Sequence, residues 1–331
     1  MLLATAVMIG AVPLAHAQED TAFPGWEFSI RTDNDTLLDS DRYYSNGLWL
    51  SMLKTDGDSW FGWAIGNETY TASDIALLPA DIASDDRPYA GWTYVSHFRG
   101  RLEDDGTSVM WEFGLGCIGP CSNAQRYQDF WHSDVVDVPE AQGWPSQVDD
   151  EAALQVRRVR QKPLRHWLGE DGGLRADLLR TTEFRLGNIF TDATIGFVGR
   201  YRLGSMRGYF DGAGLDDMTP KRSVIREDAE PPAWTGGRGR AWFGADEAFV
   251  FARVEGSLVA RNSTIQGGVF NKSSPFTQDI RHGVVHTEIG FKLAWRRLTF
   301  AMSWNSISTD WVGPSWDLNQ HNWISFYGVV H

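Results

Sequence analysis

Beyond its N-terminal segment the sequence has no run of about 18 or more uncharged apolar residues, so it holds no helix able to span a bilayer. A basic surplus is missing too. Thirty Lys and Arg face 43 Asp and Glu, a formal charge of −13, whereas a nucleic-acid binder presents a basic face. Cysteine is nearly absent: the two present, Cys117 and Cys121, lie in the run CIGPC. Two thiolates alone make a poor metal site, so a disulfide in an exported chain is the better reading. Export is read from residues 1–17, MLLATAVMIGAVPLAHA, an apolar run of signal length closing on Ala15-His16-Ala17 before Gln18. The basic start of a signal peptide is missing there, and the competing reading is a buried N-terminal helix. Residues 18–331 then form the mature unit.

Tryptophan and glycine are abundant, with 16 Trp and 34 Gly, and glycine at that level favours tight turns and β-structure. The strongest pattern has a period of two. In GVVHTEIGFKLAW, Val285, Ile289, Phe291, Leu293 and Trp295 share one face, and His286, Glu288, Lys292 and Arg296 the other. Leu298, Phe300, Met302 and Trp304 resume the pattern after a minimal turn at Arg296-Arg297, and FVFARVEGSLVAR, TIGFVGRYRLG and SVMWEFGLG repeat it. These runs reach about ten residues, longer than the ~5 to 6 of a soluble sheet. Apolar-out, polar-in strands of ~9 to 11 residues are what a transmembrane barrel needs, because closure leaves no backbone group unpaired in lipid. A soluble β-sandwich is the competitor.

The expectation is therefore an all-β, antiparallel transmembrane barrel of about twelve strands, near 25–33, 45–54, 59–70, 90–101, 107–118, 149–159, 180–190, 193–204, 247–260, 284–296, 298–307 and 322–330. With both termini periplasmic, long outer connections fall at 34–44, 71–89, 119–148, 261–283 and 308–321. Two inner connections, 160–179 and 205–246, break the rule that inner turns are short. His97 and His286 are expected on the lumen face.

Strand parity gathers three unusual segments on the outer rim. RTDNDTLLDSDRYYSNGLWLSM (31–52) crowds carboxylates and hydroxyls around a hairpin tip, and DDRPYAGWTY (85–94) is a charged loop entering a strand. The third, 119–147, carries Ala124, Tyr127, Gln128 and Trp131 at helical spacing, with His132 at the end of a short loop helix. A histidine beside a carboxylate and a bound cation permits ester hydrolysis, since imidazole can take a proton from water near neutral pH.

These residues resemble the outer-membrane lipid A 3′-O-deacylase family. The resemblance spans nearly the whole mature chain. It rests on Asn34-Asp35 after the first strand, Asp41 to Gly47 entering the second, DDRPYAGW at 85–92, Gly119-Pro120 with His132 twelve residues later, Gln125 and Gln128 between them, and GWPSQ at 143–147. It implies a twelve-stranded outer-membrane barrel of a Gram-negative bacterium that removes the 3′-linked acyloxyacyl group of lipid A or lipopolysaccharide with calcium. It further implies His132 as general base activating water, Asn34 and Asp35 as the active-site pair with Asp35 holding Ca²⁺, and Ser45 at a hydroxyl position commonly Thr. Arg87, Arg126 and Gln128 are expected substrate contacts. A basic residue of some family members has no counterpart near Leu77. Also expected are insertion by the barrel-assembly machinery, a monomeric state and no nucleic-acid partner. The alternatives are an outer-membrane phospholipase and a non-catalytic channel or structural barrel.

Overall fold

The computed structural model describes residues 25–38, 40, 42–210, 218–219, 242–295, 297–313 and 321–330; residues 1–17, where a signal peptide is expected, and Asp39, Asp41 and His331 lie outside them. Alternation in the sequence becomes twelve strands: β1 (Trp26–Asn34), β2 (Tyr43–Asp56), β3 (Ser59–Thr71), β4 (Ala90–Leu102), β5 (Ser108–Ile118), β6 (Glu151–Leu168), β7 (Leu174–Gly187), β8 (Phe190–Arg202), β9 (Glu247–Asn262), β10 (Gly283–Trp295), β11 (Leu298–Ile307) and β12 (His321–Val330). Each pairs antiparallel with the next, and β1 closes on β12 with Phe28 opposite Val330 and Asn34 opposite Ile324. Closure removes every sheet edge, which hydrocarbon would leave unsatisfied. No helix among the described residues is long and apolar enough to cross a membrane; the strands do so.

The faces divide as the period of two requires. On β10, Val285 and Ile289 are 52% and 58% exposed, whereas Lys292 and Ala294 are buried inside. The lumen is lined with paired charge. Arg157 reaches Glu112 and Glu183 at 3.4 and 2.8 Å, Arg185 reaches Asp192 at 2.6 Å, and Arg253 reaches Glu288 at 3.1 Å. His286 faces inward as expected, between Glu255 and Asn305.

Residues that follow β8 pack toward the periplasmic end: Met206, Tyr209, Phe210 and Met218 are buried. The Trp60 indole donates to the Met218 carbonyl at 2.9 Å, and Met218 packs with Leu53, Phe98, Met110 and Val159.

Two expectations need correction. The segment 160–179 is no long connection: β6 continues to Leu168, β7 begins at Leu174, and the turn between them is short. Register shifts at Pro163/Arg165 and Trp167/Leu168 break the alternation there, which hid the strand ends from pattern analysis. His97 faces the lipid side, its ring 4.7 Å from that of the exposed Trp63. The other long inner connection, 203–246, stands, although most of it lies outside the described residues.

Candidate active site

Lipid-facing positions of a barrel should be apolar, and across the middle of β2 to β5 they are: Leu50, Ile65, Val95 and Leu115 lie side by side and exposed. Four residues further toward the outer rim the same face turns polar. Asn34 stands opposite Asn46, Asn46 opposite Thr69, and Thr69 opposite Gly91. Asn46 and Thr69 are buried, although they point away from the lumen.

Over Gly91, next to Thr69, lies the connection between β5 and β6. Its helix α1 (Ala124–Phe130) packs on β3 and β4 from outside. Gly91 makes this approach feasible, since a Cβ there would lie 2.2 Å from that of Ala124. Asn67 donates to Thr93 Oγ1 at 2.6 Å, and that hydroxyl donates to the Ser122 carbonyl at 2.7 Å, tying the loop to the wall. Cys117 and Cys121 are bonded to each other where the chain leaves β5, with Cα atoms 5.9 Å apart, so neither sulfur is a metal thiolate.

The hairpin tip between β1 and β2 builds the other side. Asn34 Oδ1 accepts from the Thr36 amide at 2.8 Å, forming an Asx turn that directs Asp35 into the protein. Asp35 is fully buried, and its Oδ2 accepts from Ser40 Oγ at 3.1 Å and the Arg42 amide at 2.8 Å. Its own amide donates to the Ser45 carbonyl at 3.4 Å. Ser45 is the extra residue of a β-bulge between Tyr44 and Asn46, and its hydroxyl shares a 2.6 Å hydrogen bond with Thr71 Oγ1. A bulge re-aims side chains locally, here turning the Ser45 hydroxyl to the outer face that Thr71 occupies.

His132 follows α1 on the π-helical turn Trp131–Val136 and is 6% exposed. Its Nδ1 lies 2.7 Å from the Pro139 carbonyl. A carbonyl can only accept, so Nδ1 carries a proton, and in the neutral ring the lone pair is on Nε2. Beside it, burial and then the Glu140 charge push the Asp129 carboxyl up. The helix meets the end of β3 through one packed cluster. Trp144 donates to Gln128 Oε1 at 2.9 Å and packs with Ala72, Tyr89 and Ala124, and Ala72 directly follows Thr71, the partner of Ser45.

The expected substrate contacts separate. Arg126 is exposed on α1. Gln128 is buried and accepts from Trp144. Arg87 is fully buried, donating to Thr264 Oγ1 at 2.9 Å, 3.5 Å from Asp310, and stacked over Tyr70 at 4.2 Å. Its guanidinium joins three loops and is not presented to a substrate. His321 completes that cluster, 3.2 Å from Asp310.

Sequence reasoning missed Asn46, Thr69 and the Asp310–His321 pair. The first two carried a signal: polar residues at outward parity on strands that are otherwise apolar outside. For a hard cation the donors at the tip are the Asp35 carboxylate and the side-chain oxygens of Asn34 and Asn46. Asn46 Oδ1 is buried and has no hydrogen-bond partner among the described residues, as an unused oxygen ligand would be. The residues fit calcium chemistry.

A family profile described as Outer membrane protein LpxR matches residues 1–316. Among solved structures, LpxR from Salmonella typhimurium aligns with a TM-score of 0.72 at 16% identity, over 92% of this chain and 99% of that one. The beta domain of the Bordetella autotransporter Brka aligns over 93% and 98% of the two chains, but at a TM-score of 0.44 and 10% identity. No curated protein sequence matches the chain.

Proposed function

The chain belongs to the LpxR family of outer membrane proteins, and from that premise we infer that it is a lipid A 3′-O-deacylase, an ester hydrolase working at the outer rim of its own barrel. One observation carries this reading beyond the family name: the polar row Asn34–Asn46–Thr69 lies on the lipid-facing wall, running toward the strands β3 and β4 on which α1 packs. Lipid A occupies the outer leaflet, so its acyl esters lie alongside the barrel. A site between wall and helix receives them sideways, with no need to pull the lipid into water.

The residues divide the chemistry as follows. His132, its Nδ1–H held by the Pro139 carbonyl, uses Nε2 to take a proton from the attacking water and later returns it to the leaving alkoxide. Asn34, Asp35 and Asn46 hold Ca²⁺, which when bound would polarise the ester carbonyl and offset charge on the developing oxyanion. The Ser45 hydroxyl, bonded to Thr71, orients substrate or water and is not a nucleophile. Arg126, exposed on α1, is the remaining cation for a lipid A phosphate. The enzyme acts as a monomer after insertion by the barrel-assembly machinery.

A channel reading is disfavoured by the ion pairs that line the lumen and by Met218 packed inside it. A serine phospholipase would lose all activity in Ser45→Ala, whereas water attack would only weaken. The direct test is mass spectrometry of lipid A from cells expressing wild type, Asp35→Ala or His132→Ala, with and without calcium. Loss of the 3′-acyloxyacyl mass with wild type and calcium alone is expected.

A further inference from the structure

At the periplasmic end of the lipid-facing wall, strand register lines up Trp26, Lys54, Phe61, Arg99, Trp111 and Arg158 in one row across β1 to β6. Aromatic and cationic side chains alternate strand by strand. Neighbouring strands lie about 4.8 Å apart, so successive cations stand about 10 Å apart with a ring between them. The Arg158 guanidinium lies 5.4 Å from the centroid of the Trp111 ring.

Two features set this row apart from ordinary surface charge. Among the described residues none of Lys54, Arg99 and Arg158 makes an ion pair, whereas their neighbours closer to the rim do. Arg101 and Arg160 share Glu103 at 3.4 and 3.9 Å, and Lys162 meets Asp105 at 3.0 Å. The row also occupies one sector only. The outward positions of β10 to β12 hold Val285, Ile289, Phe300, Trp304 and Phe326 and contain no Lys or Arg. A cation ring serving only to mark the interface would run all the way round.

The depth is near the inner edge of the apolar band. On β2, Lys54 lies eight residues below Asn46, about 26 Å along the strand at ~3.3 Å per residue, which a strand tilt of ~40° reduces to about 20 Å along the barrel axis, against an apolar band of ~25 Å. Phe61, His97, Arg99, Arg101, Trp111 and Arg158 border an open recess of about 770 Å³ on this wall, together with the carboxylates of Asp56 and of Glu103, the latter already paired with Arg101 and Arg160.

We propose that this recess binds the headgroup of an anionic phospholipid of the periplasmic leaflet, with its phosphodiester between Arg99 and Arg158 over Trp111. Arginine forks match phosphate oxygens, and the interfacial aromatics flank the glycerol and upper acyl segments. The site lies at the opposite rim from the candidate active site and is independent of the deacylase reading.

The test is native mass spectrometry of the full chain, refolded to its heat-shifted form in detergent with equimolar phosphatidylglycerol and phosphatidylethanolamine. Wild type should retain phosphatidylglycerol at least about fivefold over phosphatidylethanolamine. Arg99→Gln with Arg158→Gln should lower the ratio below about twofold, and Lys272→Gln at the outer rim should leave it unchanged. Trp111→Leu, which keeps every charge, should lower it partway and provides a second reading if the double variant fails to heat-shift. Excess inorganic phosphate should not displace the lipid, and lipopolysaccharide should not replace it. Equal retention of the two phospholipids, a preference untouched in the double variant, or displacement by phosphate or lipopolysaccharide would overturn the proposal.

Discussion

At the residue scale, the candidate site joins groups whose roles follow from their partners. In the proposed mechanism His132 acts through Nε2, since the Pro139 carbonyl accepts from Nδ1–H. His132→Ala should therefore lower deacylation by roughly 100-fold or more, with the barrel still heat-shifting on gels. Asn46→Ala removes an oxygen that has no hydrogen-bond partner among the described residues, so it should raise the calcium needed for half-maximal activity by roughly tenfold and be rescued by added calcium. A calcium requirement equal to wild type would remove Asn46 from the metal site. The Asp310 carboxyl behaves differently. Burial alone would raise it, but the Arg87 guanidinium and the His321 ring outweigh burial and hold it at about 2. A depressed carboxyl contributes stability that is present above the ordinary carboxylate range and lost as pH falls through about 2. Protease resistance of the outer loops should thus hold from neutral pH to about 4, whereas Arg87→Ala should cost about 3 to 5 kcal/mol by stranding Asp310. Asn34, Asp35 and His132 were legible because their motifs are local. Asn46, Thr69 and Asp310 were not, because their meaning comes from strand register and from partners far along the chain.

At the scale of elements, the period of two revealed the strand count and faces directly, because each strand meets lipid on one side and paired charge on the other. It failed where bulges shift the register, as at Pro163/Arg165, and at His97, which a polar side chain alone placed in the lumen. The short helix was legible from the spacing of Ala124 and Gln128, both buried as that spacing requires. Its docking on the outside of the wall was not, since nothing local to α1 encodes which face of the barrel it meets. Gly91 is the element that decides this. Gly91→Leu should lift α1 from β3 and β4 and reduce deacylation at least about tenfold while barrel closure and heat-shifted mobility persist. Unchanged activity would mean that the helix position does not matter to the site. Trp144→Phe, which removes the indole donor to Gln128, should destabilise the loop by about 1 kcal/mol, read as faster proteolysis after β5.

At the scale of the whole molecule, the barrel is a wall before it is a pore. Its interior is lined by ion pairs and narrowed by Met218, so planar bilayers containing the protein should show no stable conductance steps. The proposed chemistry would lie where two solvents meet, at the boundary of the apolar band and the outer rim, and that placement matches an amphiphilic substrate held in the same leaflet. The central claim is that Asp35 and His132 hydrolyse the 3′ ester of lipid A with calcium. It is tested most directly by mass spectrometry of purified lipid A incubated with folded wild type, Asp35→Ala or His132→Ala in calcium or in chelator. The 3′-acyloxyacyl mass should disappear only with wild type and calcium. Intact lipid A under that condition, or equal loss with either variant, would contradict it.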